Sequence, residues 1–319
     1  MASPDLQAPQ RHLKRWAASW RGCSCYAYSI RAVLRSIGFI VGGLVALVVI
    51  LVAGLYLNLV RLRTTQYSNP VPAVTVARTP DQVARGQYMV TAFPGCAGCH
   101  SSNGSASPPI LDGGHIADID ALGNFNAPNL TPEGPIKDWT DGQVIRAIRE
   151  GIDKDGHPLA LMPAPDYHNM SDDDVLAIVA YLRSQPAVQR DSPGVSFGFL
   201  GTMLTSTGQF PLGNQPPAGT VTAPPRGPTA TYGKYLVSIT GCATCHGPAL
   251  DAQNIPRGTP QGPSLRIVKL WSEPEFLATL RTGVDPAKHQ LSDMMPWRQY
   301  GQGTDDDLRA IYQFLTSLQ

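Results

Sequence analysis

Cys96-Ala97-Gly98-Cys99-His100 and Cys242-Ala243-Thr244-Cys245-His246 are the two stretches on which the reading of this 319-residue chain turns. Each places two thiols three positions apart beside an imidazole, which is the attachment signature of c-type haem. The thiols add across the haem vinyl groups, and the imidazole binds the iron from one face. A thioredoxin-like redox pair needs the cysteines but has no use for the histidine. A structural zinc site needs further Cys or His at matched spacing, and outside these motifs the chain has only Cys23 and Cys25. The pattern predicts two covalently bound haem c groups. Cys96, Cys99, Cys242 and Cys245 attach them; His100 and His246 are iron ligands.

Outward from both motifs the chain repeats itself. A helix-like stretch precedes each: Asp81 to Ala92 in one unit, Tyr232-Gly233-Lys234-Tyr235-Leu236-Val237 in the other. A Met-Pro pair follows each, at Met162-Pro163 and Met295-Pro296. A closing helix then opens on Ser171-Asp172-Asp173-Asp174 or Thr304-Asp305-Asp306-Asp307, with a capping hydroxyl and first-turn acids that suit the helix dipole. Met162 and Met295 stand 133 positions apart, as do Asp173 and Asp306, and Tyr181 and Phe314; the haem cysteines stand 146 apart. One domain has been duplicated and its middle loop resized. The repeat singles out Met162 and Met295 as second axial ligands, since a thioether closes the sixth position and raises the potential. Core filling is the plain alternative for any methionine, and Met294 is the rival of Met295. His115, His157, His168 and His289 are other possible ligands; His157 and His289 are nearly matched but read as surface histidines. Pro109-Ile110-Leu111 and Pro263-Ser264-Leu265 each follow a motif, so the Pro109 and Pro263 carbonyls are expected to accept the Nδ1 proton of the haem histidine. Gly86 and Gly233 are expected to let the first helix cross closely over the last, with Tyr88, Tyr235, Tyr181 and Phe314 as packing groups.

Residues 37–60 contain no ionisable side chain except Tyr56. At 1.5 Å per residue that length spans a bilayer core of about 30 Å, and it exceeds the apolar region of a cleavable signal peptide. Six Lys/Arg against Asp5 in residues 1–36 keep that end cytoplasmic and place the haem motifs in the periplasm. Cys23 and Cys25 then lie on the reducing side as free thiols. The first thirty residues read as disordered. The expected organisation is a basic segment at 1–36, an anchor at 37–60, an extended tether at 61–78, and a haem unit at 79–184. A Pro/Gly-rich linker at 185–228, apolar enough over Val195 to Leu212 to pack across both units, leads to a second haem unit at 229–319. The first unit carries 6 basic and 14 acidic groups, the second 8 of each. That balance argues against nucleic acid as a partner and predicts steering of the acidic unit towards a basic surface. Asp153-Lys154-Asp155-Gly156 lacks the remaining ligands of a calcium loop and reads as a turn.

Each unit resembles a class I cytochrome c domain: N-terminal helix with Gly and aromatic, Cys-x-x-Cys-His, Pro-x-Leu, a Met, and a final helix with an aromatic. The first unit goes further. Asn129-Leu130-Thr131-Pro132, Trp139-Thr140, Arg149-Glu150-Gly151, Asp155-Gly156, Met162-Pro163 and Ser171-Asp172-Asp173-Asp174 resemble the cytochrome subunits of membrane-bound alcohol and gluconate dehydrogenases. The resemblance implies an all-α fold, two tandem class I cytochrome c domains after a single N-terminal transmembrane helix. It also implies single-electron transfer at the inner membrane, with a dehydrogenase, a quinol-oxidising complex or a terminal oxidase as partner and no catalytic residue. Three other classes stay open. A dihaem peroxidase needs one displaceable sixth ligand, which two matched methionines disfavour. A thiolate-ligated haem enzyme needs a spare exported cysteine, and none exists. An integral subunit of a larger respiratory or photosynthetic complex differs from a free shuttle only in how it purifies.

Overall fold

A computed structural model describes residues 23–103, 108–210, 212–255 and 259–319. Helix α1 (Cys23–Thr64) is 42 residues long, and its 29–64 portion is long and apolar enough to cross a membrane. It starts inside the stretch expected to be disordered; residues 1–22 and the side chains of Cys23 and Cys25 lie outside the description. It also outruns the expected anchor end at 60 by one turn. Residues 55–319 form one compact unit that includes both haem motifs.

Two helical domains fill that unit, and the repeat extends to their caps. In the first, α2 (Pro80–Thr91), α3 (Ala97–His100), α4 (Asp141–Glu150), α5 (Ala164–Tyr167) and α6 (Asp172–Ser184) follow in order. α2 opens on the Thr79 hydroxyl with proline at its first position, and α6 opens on Ser171, whose Oγ accepts from Asp174 N at 3.3 Å. α4 has a full capping box between Thr140 and Gln143 and stops at Gly151, which takes the left-handed φ of 64°. Gly86 makes the central contact possible: a Cβ there would stand 1.9 Å from the Ala177 carbonyl oxygen, so α2 and α6 cross backbone to backbone. Met89, Val90, Phe93, Leu111, Met170 and Ile178 are fully buried around that crossing.

The second domain repeats the plan with α8 (Ala230–Ile239), α9 (Cys242–His246), α10 (Glu273–Thr282), α11 (Trp297–Tyr300) and α12 (Asp305–Ser317). Gly233 lets α8 lie on α12, its imagined Cβ again 1.9 Å from a carbonyl oxygen, here that of Ala310. α10 carries the Ser272–Glu275 capping box and ends on Gly283 at φ 73°, as α4 ends on Gly151.

Three features depart from the expected layout. The protein is not wholly α-helical: β1 (Gly114–Ile119) and β2 (Gly123–Ala127) form an antiparallel hairpin, and β3 (Val195–Phe197) adds to β2 with Phe125 opposite Val195. The hairpin occupies the resized loop of the first domain, and its β3 edge is supplied by the linker. Second, the tether is extended but not free. Tyr67 N donates to Gly156 O (2.8 Å), Asn69 Nδ2 to Glu150 Oε2 (2.6 Å) and Val76 N to Asp141 Oδ2 (2.9 Å), which straps residues 65–79 across the first domain. Third, Val195 to Leu212 does not pack across both haem domains. It makes β3 and α7 (Phe199–Ser206), where Phe125, Phe197 and Phe210 meet ring to ring at 6.1 Å, and its described residues bond to the first domain and to the end of α1. Buried Arg149 and Glu150 hold the continuation of the linker. Arg149 Nη2 donates to Gly219 O (2.8 Å), and Glu150 Oε1 accepts from Ala218 N (2.8 Å).

The two domains meet about a pseudo-twofold axis. Tyr88 on α2 donates to Asp307 on α12 and accepts from Thr304 N (3.0 Å). The corresponding Tyr235 on α8 donates to Asp174 on α6 (2.6 Å) and accepts from Ser171 N (3.1 Å). On the axis itself, the matched positions Arg85 and Tyr232 bond to each other at 3.2 Å. A self-complementary patch of this kind is the hallmark of twofold packing, here within one chain. Tyr88 and Tyr235 are therefore inter-domain ties, not only packing groups.

Candidate haem sites

Each haem motif is a single helical turn, α3 or α9, delivered by a left-handed glycine: Gly95 at φ 77° and Gly241 at φ 72°. No disulfide joins the four motif cysteines. Burial pushes the Cys96 thiol up to about 12, with Cys99 beside it adding to the shift, and Cys242 up to about 11. Burial also raises Cys99 and Cys245. These are neutral thiols, the opposite of the low-pKa thiolate that disulfide exchange requires.

His246 is buried and His100 half-buried. Burial lowers the pKa of both imidazoles, and a proline carbonyl partly opposes it in each case. His246 Nδ1 stands 2.7 Å from Pro263 O, as the repeat suggests. His100 Nδ1 stands 2.9 Å from Pro128 O, not from Pro109. The Pro109 carbonyl instead accepts from Tyr181 OH at 2.6 Å. The hairpin insertion explains the correction. Leu130 N donates to Leu111 O as Leu265 N donates to Leu250 O, so Pro128-Asn129-Leu130 is the true counterpart of Pro263-Ser264-Leu265. A carbonyl can only accept, so each Nδ1 carries the proton and each Nε2 keeps its lone pair. Each imidazole therefore has one nitrogen committed and the other ready for iron.

Met162 and Met295 are half-buried against the core, whereas Met294 is 68 % exposed. Both Met-Pro turns have one shape. Pro163 has φ, ψ of −77°, 50° and Pro296 of −79°, 49°; Met162 O accepts from Ala164 N (2.8 Å) and Met295 O from Trp297 N (2.7 Å). The other described histidines are engaged elsewhere. His157 faces Asp153 at 3.6 Å, His289 faces Asp285 at 3.2 Å, His115 bonds Asn126 (3.1 Å), and His168 bonds Arg149 O (3.1 Å). Among the described residues, no cluster of His, Cys, Asp or Glu is arranged to hold a metal ion unaided. Paired thiols beside an imidazole whose Nε2 is free, present in both domains, fit a covalently held haem.

The short helix after each Met-Pro turn reaches the other domain's motif. Gln299 on α11 donates to Pro94 O at 3.1 Å, beside Gly95 and Gly98, and the Tyr300 ring stacks on Phe93 with centroids 5.9 Å apart. Asp166, the counterpart of Gln299, lies beside Gly241 and accepts from Thr244. Sequence reasoning missed Pro128, Asp166 and Gln299. Pro128-Asn129-Leu130 is a second Pro-x-Leu in plain view, 135 positions from its partner.

Comparison with known proteins agrees with this geometry. The Cytochrome c family matches residues 83–186, and the family "Cytochrome C oxidase, cbb3-type, subunit III" matches residues 228–315. The cytochrome c subunit of a quinone alcohol dehydrogenase from Gluconacetobacter polyoxogenes is 32% identical over 280 residues, covering 76% of this chain and 58% of its own length. The fructose dehydrogenase cytochrome subunit of Gluconobacter japonicus is 30% identical, covering 79% of this chain and 55% of its own. The gluconate 2-dehydrogenase cytochrome c subunit of Pantoea cypripedii is 26% identical, covering 74% of this chain and 59% of its own. The chain thus spans a little over half the length of these three relatives. It is a two-domain member of the cytochrome c proteins, homologous to the cytochrome c subunits of quinone alcohol, gluconate and fructose dehydrogenases.

Proposed function

We propose that this protein is a dihaem electron-transfer cytochrome held at the inner membrane by α1, with both haem domains on the periplasmic side. It passes single electrons from a dehydrogenase towards a quinol-oxidising complex or a terminal oxidase, and it is not itself an enzyme. The observation that carries this reading is the matched pair of sites. Each has a histidine with Nδ1 committed to a proline carbonyl and a half-buried methionine in an identical Met-Pro turn. The haem supplies the one-electron couple. The chain's residues orient the imidazole, offer a thioether for the sixth position, and bring each Met-Pro turn against the other domain's motif. Such a layout suits passage of electrons between domains.

The test is a spectroscopic redox titration of the full chain and of Met162→Ala and Met295→Ala. Two haems per chain are expected. Each substitution should abolish the near-infrared sulfur-to-iron band of one haem and lower its midpoint, by on the order of 100 mV given the range that axial ligands command. An unchanged band and midpoint would remove thioether ligation, and high-spin iron in the unaltered protein would favour a peroxidase.

A further inference from the structure

We propose that α7 and the turn after it, residues 199–209, form a second membrane contact that enters the headgroup–acyl boundary of the leaflet where α1 ends. The inference rests on reading α1 as the anchor. Its first support is composition. Residues 192–225 contain no ionisable side chain, in a protein whose first haem domain is otherwise strongly acidic. Within that stretch, Phe199, Leu200 and residues 207–209 are left exposed without a charge among them.

Geometry supplies the second support. Ser206 Oγ donates to Leu55 O at 2.6 Å, and Asn58 Nδ2 donates to Ser206 O at 2.9 Å. At the other end of α7, the Arg63 guanidinium lies over the Phe197 ring, 5.6 Å from its centroid. α7 therefore runs antiparallel to the last turns of α1, beginning level with Arg63 and ending level with Leu55. Eight residues of helix correspond to about 12 Å, so its end lies inside the apolar 37–60 stretch. Asn58 is a polar side chain within that stretch, and Ser206 satisfies it, as burial in hydrocarbon requires.

The third support is what this element leaves uncovered. Phe199 is 63 % exposed and Leu200 40 %, while Thr207, Gly208 and Gln209 at the deep end are exposed and uncharged. Arg63 and Phe199 stand at one end, as cation and aromatic do at headgroup level, and the face continues through half-buried Met203 and Leu204 to the uncharged Thr207 and Gln209. With no charge of its own, α7 should choose lipid by depth rather than by headgroup. A second contact beside α1 would fix the tilt of the haem domains on the membrane, which a single helix followed by an extended strap does not.

The experiment uses full-length protein with Cys23→Ser and Cys25→Ser, embedded alone in phosphatidylcholine nanodiscs. Nitroxide labels are placed one at a time through Val48→Cys, Phe199→Cys, Thr207→Cys and Leu270→Cys. Leu270, 79 % exposed on the second domain, is the aqueous control. Collision with dissolved oxygen and with a water-soluble nickel chelate is then compared, in preparations that keep both haem spectra. Expected is a lipid-like oxygen excess at Val48 and Thr207, an intermediate ratio at Phe199, and an aqueous ratio at Leu270. An aqueous ratio at both Phe199 and Thr207 with lipid at Val48 overturns the proposal and leaves this face for a protein partner. An aqueous ratio at Val48 overturns the anchor reading instead.

Discussion

The two haem domains share helix order, caps, glycine crossings and Met-Pro turns, yet the elements added to that shared plan are built on the first. The strap at 65–79, the β hairpin, β3, α7 and the returning linker all lie on residues 65–221. Among the described residues, the second domain has helices and connecting loops but no strand. Net charge divides the same way, −8 against 0. The difference teaches that duplication preserved what positions haem and left the rest free to diverge. One copy became the platform and the other a simpler haem domain resting on it.

The seam between the copies is the sharpest place to break that comparison. Asp174 accepts from Arg85 Nε (2.8 Å) and Nη2 (3.1 Å) as well as from Tyr235, whereas Asp307 has the Tyr88 hydroxyl and its own helix cap. Asp174→Asn would strip the largely buried Arg85 guanidinium of its counter-charge, at a cost of about 3 to 5 kcal/mol. Asp307→Asn should cost about 1 to 2 kcal/mol, the worth of a buried hydrogen bond. Chemical denaturation of the haem-loaded protein measures both, and equal losses would mean that the seam is energetically symmetric. The pH dependence has a definite sign. Burial alone would raise Asp174, but Arg85 and Tyr235 hold its carboxyl below the ordinary 3.8. Its contribution is therefore complete above pH 3.8 and is lost as pH falls through the lower folded value. Acid should open the seam of the parent protein in that window, and Asp174→Asn should flatten the response.

Gly86→Ala and Gly233→Ala test the opposite expectation, that the copies behave alike. Either methyl would stand 1.9 Å from a carbonyl oxygen of the closing helix, so the helices must part. Overpacking costs about 1 to 3 kcal/mol, and the better helix propensity of alanine returns up to about 1 kcal/mol. A net loss of about 2 kcal/mol is expected in each domain, read from the denaturation of its haem band. A neutral result in one domain alone would show that its crossing is not held by close backbone contact.

Much of this is legible in the chain itself, because the features that carry it are local and come twice. A pentapeptide, a Met-Pro pair, a capping hydroxyl before three aspartates and a glycine at a helix crossing are short patterns. Each copy checks the other. Pro109 misleads because two Pro-x-Leu candidates compete in the first domain, and only the hairpin between them decides which carbonyl reaches His100. The hairpin itself is hidden because Gly, Asn and Asp punctuate it and because β3 comes from about 70 residues downstream. The seam is unreadable for a related reason. Tyr88 and Tyr235 look like packing groups within a domain, and nothing in their spacing says that their hydroxyls cross to the other copy.

The smallest expected effect concerns one position where the copies differ in charge at equivalent places. Gln299 reaches the first motif with an amide, while Asp166 reaches the second with a carboxyl that burial pushes up to about 6 despite the Thr244 hydroxyl. Below that pH the carboxyl is neutral and the two crossings are electrostatically alike. Above it, a negative charge beside the second motif stabilises ferric over ferrous iron. The midpoint of the second haem should therefore fall by on the order of tens of millivolts as pH rises through about 6, the size expected of one partly screened charge nearby. Asp166→Asn should remove that step and leave the first haem unchanged. If so, the carboxyl lowers the second haem's midpoint at neutral pH relative to acid and biases electrons by that amount towards the first domain. A second-haem midpoint with the same pH profile in parent and variant would mean that this charge is silent, and the direction of flow would have to be set by the iron ligands alone.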